Sequence, residues 1–223
     1  MQGDVKMMEI KTFKGFEEIY PERFDETDSW YYGHWSPCAE AYEVPAYNNQ
    51  YPGTRLYFFE YPSGRVFEPL KQQPNVFLSR PVYEQKDNSF GILRYDLNKE
   101  IIQVIVFKPE SFGLEIVFEI PFSKVGDVNN MRLMTSPWTL MKYDINHDTV
   151  RFLWPREAVY HLEPHETMYF QAAGKLYLSN WMEDPDYREE IIVRDAQSGQ
   201  ILERCPGYMR RMPDGSVWMM TSE

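Results

Sequence analysis

Phe90-Gly-Ile-Leu-Arg-Tyr-Asp-Leu-Asn-Lys-Glu100 returns 48 residues later as Trp138-Thr-Leu-Met-Lys-Tyr-Asp-Ile-Asn-His-Asp148. Aromatic, aliphatic pair, cation, Tyr-Asp, aliphatic and Asn recur in order and without a gap. Each copy runs into an apolar segment, Ile101 to Phe107 and Thr149 to Trp154. Two strands joined by an Asx-rich turn fit this pattern, because Asn and Asp bond their own backbone in turns and β-branched or aromatic residues fill the flanks.

A second pair matches in another style. Glu60-Tyr-Pro-Ser-Gly-Arg-Val-Phe-Glu68 aligns with Asp195-Ala-Gln-Ser-Gly-Gln-Ile-Leu-Glu203. Glu9-Ile-Lys-Thr-Phe-Lys-Gly-Phe-Glu17 is a fainter fifth copy, so an acid precedes a turn at 9, 60, 96, 144 and 195. Such repeated acids read as structural acceptors for turn N–H groups rather than as catalytic groups. Between them, strand-like runs end in a small hydroxyl residue: His34-Trp-Ser, Phe77-Leu-Ser, Leu133-Met-Thr, Tyr177-Leu-Ser and Trp218-Met-Met-Thr.

Repeats of roughly 46 residues with about four short strands each predict an all-β, single-domain β-propeller over residues 1–223. Five blades are expected, closed by pairing of the N- and C-terminal strands within one blade. A four-bladed ring with an N-terminal extension is the structural alternative, and a β-sandwich the third. The interval from Glu60 to Asp96 is only 36 residues, as if one strand there were missing or merged. Gly174-Lys-Leu-Tyr-Leu-Ser-Asn180 followed by Ile191-Ile-Val-Arg-Asp-Ala-Gln-Ser-Gly-Gln-Ile-Leu202 resembles a blade of the NHL-like and YVTN-like propeller repeats. That resemblance implies a fold and a central binding face, and no particular reaction.

The net charge of −11 would repel a phosphate backbone, and no Lys/Arg-rich segment opposes it, so nucleic acid is not an expected partner. No apolar run is long enough to span a membrane. The first ten residues mix charges among their apolar members, unlike a secretory signal, so the expected location is cytoplasmic, with export of a trimmed chain as the alternative. Cys38 and Cys205 could form one disulfide at most. No nucleophile elbow, phosphate loop or Cys-x-x-Cys occurs. His161-Leu-Glu-Pro-His165-Glu166 has metal-ligating residue types, but Pro164 breaks the helical spacing and the segment reads as a solvated loop. No metal or cofactor is expected.

What remains is a binding face. Arg80, Arg132 and one of Arg210 and Arg211 sit at marker strands, where inward arginines would make an anion site in an acidic protein; Arg211 is chosen. Trp35 and Trp181 lie on two further marker strands. Tyr47 and Tyr187 lie in the two loops after those strands, Pro37 to Thr54 and Met182 to Glu190, which should emerge on one face. The chain reads as a ligand- or protein-binding propeller whose small-molecule ligand is a sugar or an anion. A small hydrolase or lyase, with acids and histidines in the channel, is the alternative.

Overall fold

Both copies of the deciding pattern are hairpins: Ser89–Asp96 pairs antiparallel with Ile101–Lys108, and Thr139–Asp144 with Thr149–Trp154. A computed structural model describes residues 10–144, 146 and 148–221. Its strands fall into four antiparallel sheets. The first holds β1 (Pro21–Arg23), β2 (Trp30–Trp35), β3 (Arg55–Glu60) and β4 (Val66–Phe67). The second holds β5 (Val76–Leu78) and β6 (Val82–Glu84), both paired to β7 (Ser89–Asp96), then β8 (Ile101–Lys108) and β9 (Gly113–Pro121). The third holds β10 (Met131–Met134), β11 (Thr139–Asp144), β12 (Thr149–Trp154) and β13 (Ala158–His161). The fourth runs β14 (Glu166–Ala172), β15 (Lys175–Met182), β16 (Arg188–Asp195), β17 (Ile201–Arg211) and β18 (Val217–Thr221). Each is an up-and-down meander in chain order, and together they are the blades of a β-propeller.

The short interval between Glu60 and Asp96 does not come from a lost strand. Glu60 and Asp195 end the third strands of their blades, whereas Asp96 and Asp144 end second strands. Two different hairpins carry the acid, so the count skips one strand between blades one and two and gains it back between three and four. The innermost strand of blade two is broken into β5 and β6 around Pro81, which has no N–H for the ladder.

The acids do cap turns. Asp96 accepts the Lys99 N–H (3.2 Å), and Asp195 accepts those of Gln197 and Ser198 (3.0 and 2.7 Å). Glu60 instead takes the Arg65 guanidinium (2.6 Å) and the Ser63 hydroxyl, which hold its carboxyl down at about 2. Glu9 lies outside the described residues.

Ring closure differs from the expected shared blade. Among the described residues β1 pairs only with β2, β18 pairs only with β17, and residues 10–20 contain no strand. The fifth set of markers is instead a two-stranded hairpin. Strand β17 pairs with β16 as far as Pro206, turns at Gly207, and pairs with β18 through Arg211. Among the described residues the count of full blades is therefore four, as in the alternative, with a half-blade at the end.

Burial follows the same logic. A cluster rich in aromatics, including Trp30, Phe58, Phe90 and Phe107, fills the seam between blades one and two. Tyr95, Val104, Leu133 and Leu140 join blades two and three; Met141, Phe152, Met168 and Leu178 join three and four. The hairpin buries little: Met209 packs with Ile191 and Val193 of blade four. On the other side of the hairpin, the exposed face of blade one is covered by coil rather than strand. Ile19 is buried, and the Phe16 ring lies 5.0 Å from Tyr57 and 5.4 Å from Phe59.

Candidate functional site

The inner strands of a propeller line its axis, and here they run in one direction. Ser79 and Arg80 of blade two, Met131 to Met134 of blade three and Tyr169 of blade four face a cavity of about 540 Å³. Residues further along the same strands, Glu84, Thr135 and Phe170 among them, face a second cavity of about 520 Å³. Glu26 and Arg211 line both. The axis is thus a channel with two mouths, divided where these two side chains meet at 2.7 Å. The Tyr169 hydroxyl accepts the Arg211 backbone N–H (3.1 Å), and the guanidinium lies over the Tyr169 ring. The pair also joins the hairpin to blade one across a sequence separation of 185 residues.

In the first mouth, three arginines predicted from sequence converge: Arg80, Arg132 and Arg211. They differ in what already holds them. Arg211 is spent on Glu26. Arg132 donates to the Met168 carbonyl (3.1 Å) and meets the Tyr143 hydroxyl, and among the described residues no carboxylate pairs with it. Arg80 has Glu22 at 3.6 Å and keeps 70% of its side chain exposed. Two guanidinium groups with free N–H edges therefore face one space.

Acids reach the same mouth: Asp25 and Glu26 from the segment after β1, and Glu40 from the long loop after β2. The inner strands themselves carry few acids, as the sequence indicates, and loops supply them instead. His34, at the end of β2, has Nε2 at 2.8 Å from the Leu78 carbonyl. A carbonyl only accepts, so Nε2 carries the proton and Nδ1 is the acceptor left over. Burial pushes the His34 pKa below its ordinary value, which keeps the ring neutral at neutral pH. Tyr32 donates to Glu22 (2.8 Å); burial and that bond push its pKa up to about 12. Burial, with Glu40 nearby, raises Tyr95 as well.

The other predicted ligand contacts lie elsewhere. Trp35, Tyr47, Trp181 and Tyr187 line neither mouth. Tyr47 donates to the Pro37 carbonyl (2.8 Å) and packs edge-on to Tyr51, bracing its own loop. Trp181 packs at a tilt against His165, ring centroids 4.4 Å apart, and Tyr187 is exposed and donates to Glu189. The two long loops follow the second strands of their blades and so leave on the same face, as their positions predict. In the His161–Glu166 stretch Glu166 is bound by Arg194, and among the described residues there is no group of three or more His, Cys, Asp or Glu placed to hold an ion. His147 lies outside the described residues. Cys38 and Cys205 are both free thiols. No described helix is long and apolar enough to cross a membrane.

No protein-family model and no curated protein matches this chain. Among solved structures, an exo-β-1,3-galactanase from Clostridium thermocellum aligns over 87% of this chain and 50% of its own, at 10% identity and a TM-score of 0.37. The chain thus spans about half the length of that enzyme. A GH43 β-1,3-galactosidase with galactodeoxynojirimycin aligns over 91% of this chain and 92% of its own, at 7% identity and a TM-score of 0.34. Likeness at this level carries no argument about what this chain binds or turns over.

Proposed function

We propose that this protein binds a small hydroxylated acid in the first mouth of its channel. The observation that carries the reading is the convergence of Arg80 and Arg132, from two different blades: among the described residues no carboxylate pairs with Arg132, and Arg80 meets only Glu22, at 3.6 Å, with 70% of its side chain exposed. Guanidinium groups hold carboxylates and phosphates in paired, directional hydrogen bonds. A bare anion would meet Asp25 and Glu40 in the same space, and hydroxyl groups on the ligand would give those acids, and Nδ1 of His34, donors to accept. The volume suits a ligand of this size.

Calorimetric titration with phosphate, D-gluconate and D-glucuronate, with D-glucose as the neutral control, tests this. Gluconate or glucuronate binds best. Arg80→Ala and Arg132→Ala each weaken it about 10- to 100-fold, the size of one charge-assisted hydrogen bond. Equal binding of glucose, or indifference to both substitutions, refutes the reading.

A second reading, a small hydrolase, is favoured by the meeting of Asp25, Glu26, Glu40 and His34 in one mouth. Acid–base chemistry needs such groups in reach of one another. Release of nitrophenol from nitrophenyl glycosides or esters, abolished by Glu40→Gln in a protein that keeps its fold, would establish it over simple binding.

A further inference from the structure

The second mouth has different chemistry. One wall is apolar: Phe170 of β14 and Tyr177 of β15 stack with centroids 4.4 Å apart and planes within 6°. Val217 and Met219 of β18 extend this wall. Both rings are only half buried, so the stack presents an aromatic surface to the cavity. The rest of the lining includes polar groups. Glu84 accepts the Ser136 hydroxyl (2.7 Å) through one oxygen and the Lys86 N–H (3.1 Å) through the other, which leaves each oxygen a further lone pair. Gln171 spends its amide N–H groups on the Pro137 carbonyl and the Thr139 hydroxyl, which leaves its carbonyl oxygen as an acceptor. Among the described residues the Lys86 ammonium has no partner, so three donors accompany these acceptors.

We infer that the second mouth is a separate binding site for a neutral polyhydroxylated ring, a pyranoside. An aromatic plane together with mixed donors and acceptors matches the two surfaces of such a ring, its C–H face and its hydroxyl rim. A purely apolar ligand would leave Glu84, Lys86 and Gln171 desolvated without partners, which costs free energy. An acid would meet Glu84 and Glu26, with Arg211 already taken by Glu26. Charged ligands are thereby directed to the first mouth and neutral ones to the second.

Saturation-transfer NMR and calorimetry with methyl β-D-glucopyranoside and methyl β-D-galactopyranoside test this, with cyclohexanol as the ring without a hydroxyl rim. Saturable pyranoside binding is expected. It weakens up to about tenfold in Tyr177→Ala and is kept in Tyr177→Phe, because the loss is that of stacking. Val217→Trp, which fills the mouth and leaves both rings in place, abolishes it should Tyr177→Ala fail to fold. Arg80→Ala leaves it unchanged, which separates this site from the first mouth. Failure of both pyranosides to bind, equal binding of cyclohexanol, or loss of binding in Arg80→Ala would each overturn the inference.

Discussion

Gly207 is where β17 leaves blade four to pair with β18, and Gly207→Ala is the sharpest test of how the ring closes. Its φ is +138°, a region L side chains rarely adopt. A Cβ there would stand 2.0 Å from the Met220 carbonyl oxygen and 2.9 Å from its carbon. Those atoms are backbone of the paired strand, so no side chain can swing away. Backbone strain costs about 1–3 kcal/mol and the overpacking about another 1–3 kcal/mol. The molecule can relieve both only by releasing the hairpin. Release gives up burial of Met209, about 1.5–3 kcal/mol, and the Glu26–Arg211 bond, about 1.5–3 kcal/mol. The two routes are similar in size, so the substitution should destabilise by about 2–6 kcal/mol and partly detach β18. Urea unfolding measures the first, and amide exchange over Val217–Thr221 the second. Gly174→Ala is the control: its φ is +74° but nothing lies within 4 Å, so only about 1–2 kcal/mol of left-handed strain is at stake. If Gly207→Ala unfolds within about 0.5 kcal/mol of wild type with unchanged protection of β18, this account of closure is refuted.

Three further outcomes follow from particular contacts. Arg194 grips Glu166 through two bonds of 2.7 and 2.6 Å with both side chains buried, so Glu166→Gln should cost about 3–5 kcal/mol, while Glu166→Leu with Arg194→Met together cost much less; a urea double-mutant cycle shows no coupling if the pair is idle. Phe58 is fully buried among Phe24, Phe90 and Phe107, and Phe58→Ala should lose about 3–5 kcal/mol in the same assay. His34 has its pKa depressed in the folded state, so its contribution is complete above the unfolded value of about 6.5 and is lost as pH falls through the folded value. His34→Gln should flatten the decline in stability below about pH 6.5, and an NMR titration that placed the native His34 above 6.5 would contradict this.

Much of the fold was legible because propeller strands are short and locally patterned. Alternation, turn acids and hydroxyl markers each depend on a few neighbouring residues, and they gave the propeller and its hairpins. The blade count was harder. Glu60 and Asp96 look equivalent in sequence yet end a third and a second strand, because both hairpin types want an acid before the turn. The fifth marker, Trp218-Met-Met-Thr, is a strand as read, but whether two more strands complete its blade depends on long-range pairing. Of the residues that line the first mouth, Arg80, Arg132 and Arg211 were visible as cations on marker strands. Asp25, Glu26 and Glu40 were not, because they come from segments between strands whose path no local pattern fixes. Trp35 and Trp181 on strands and Tyr47 and Tyr187 in loops are aromatics of a type that binds ligands, but residue type carries no sign of whether a ring faces the axis or packs on its own blade. The repeated cation carries a role that no local pattern shows: Arg94 binds Asp96 of its own strand and Gln103 of β8, Lys142 binds Asp127 in the segment before β10, and Arg194 of β16 binds Glu166 of β14.

The weakest seam of the ring and the partition of its channel are made of the same atoms. Apolar clusters join the four blades in sequence, but among the described residues coil and a half-blade lie between blade four and blade one, and Glu26 meets Arg211 there. An ion pair that is mostly buried and bonded at 2.7 Å fixes the spacing of the seam as well as the wall between the two mouths. Substitutions at Glu26 or Arg211 must therefore alter stability, cavity shape and the charge of both mouths together. A loss of binding in either variant would say nothing about ligand contact. Arg80 and Arg132 do not close the ring, and Tyr177 of blade four lies on the far side of the pair. Function at each mouth is consequently separable from closure only through those residues.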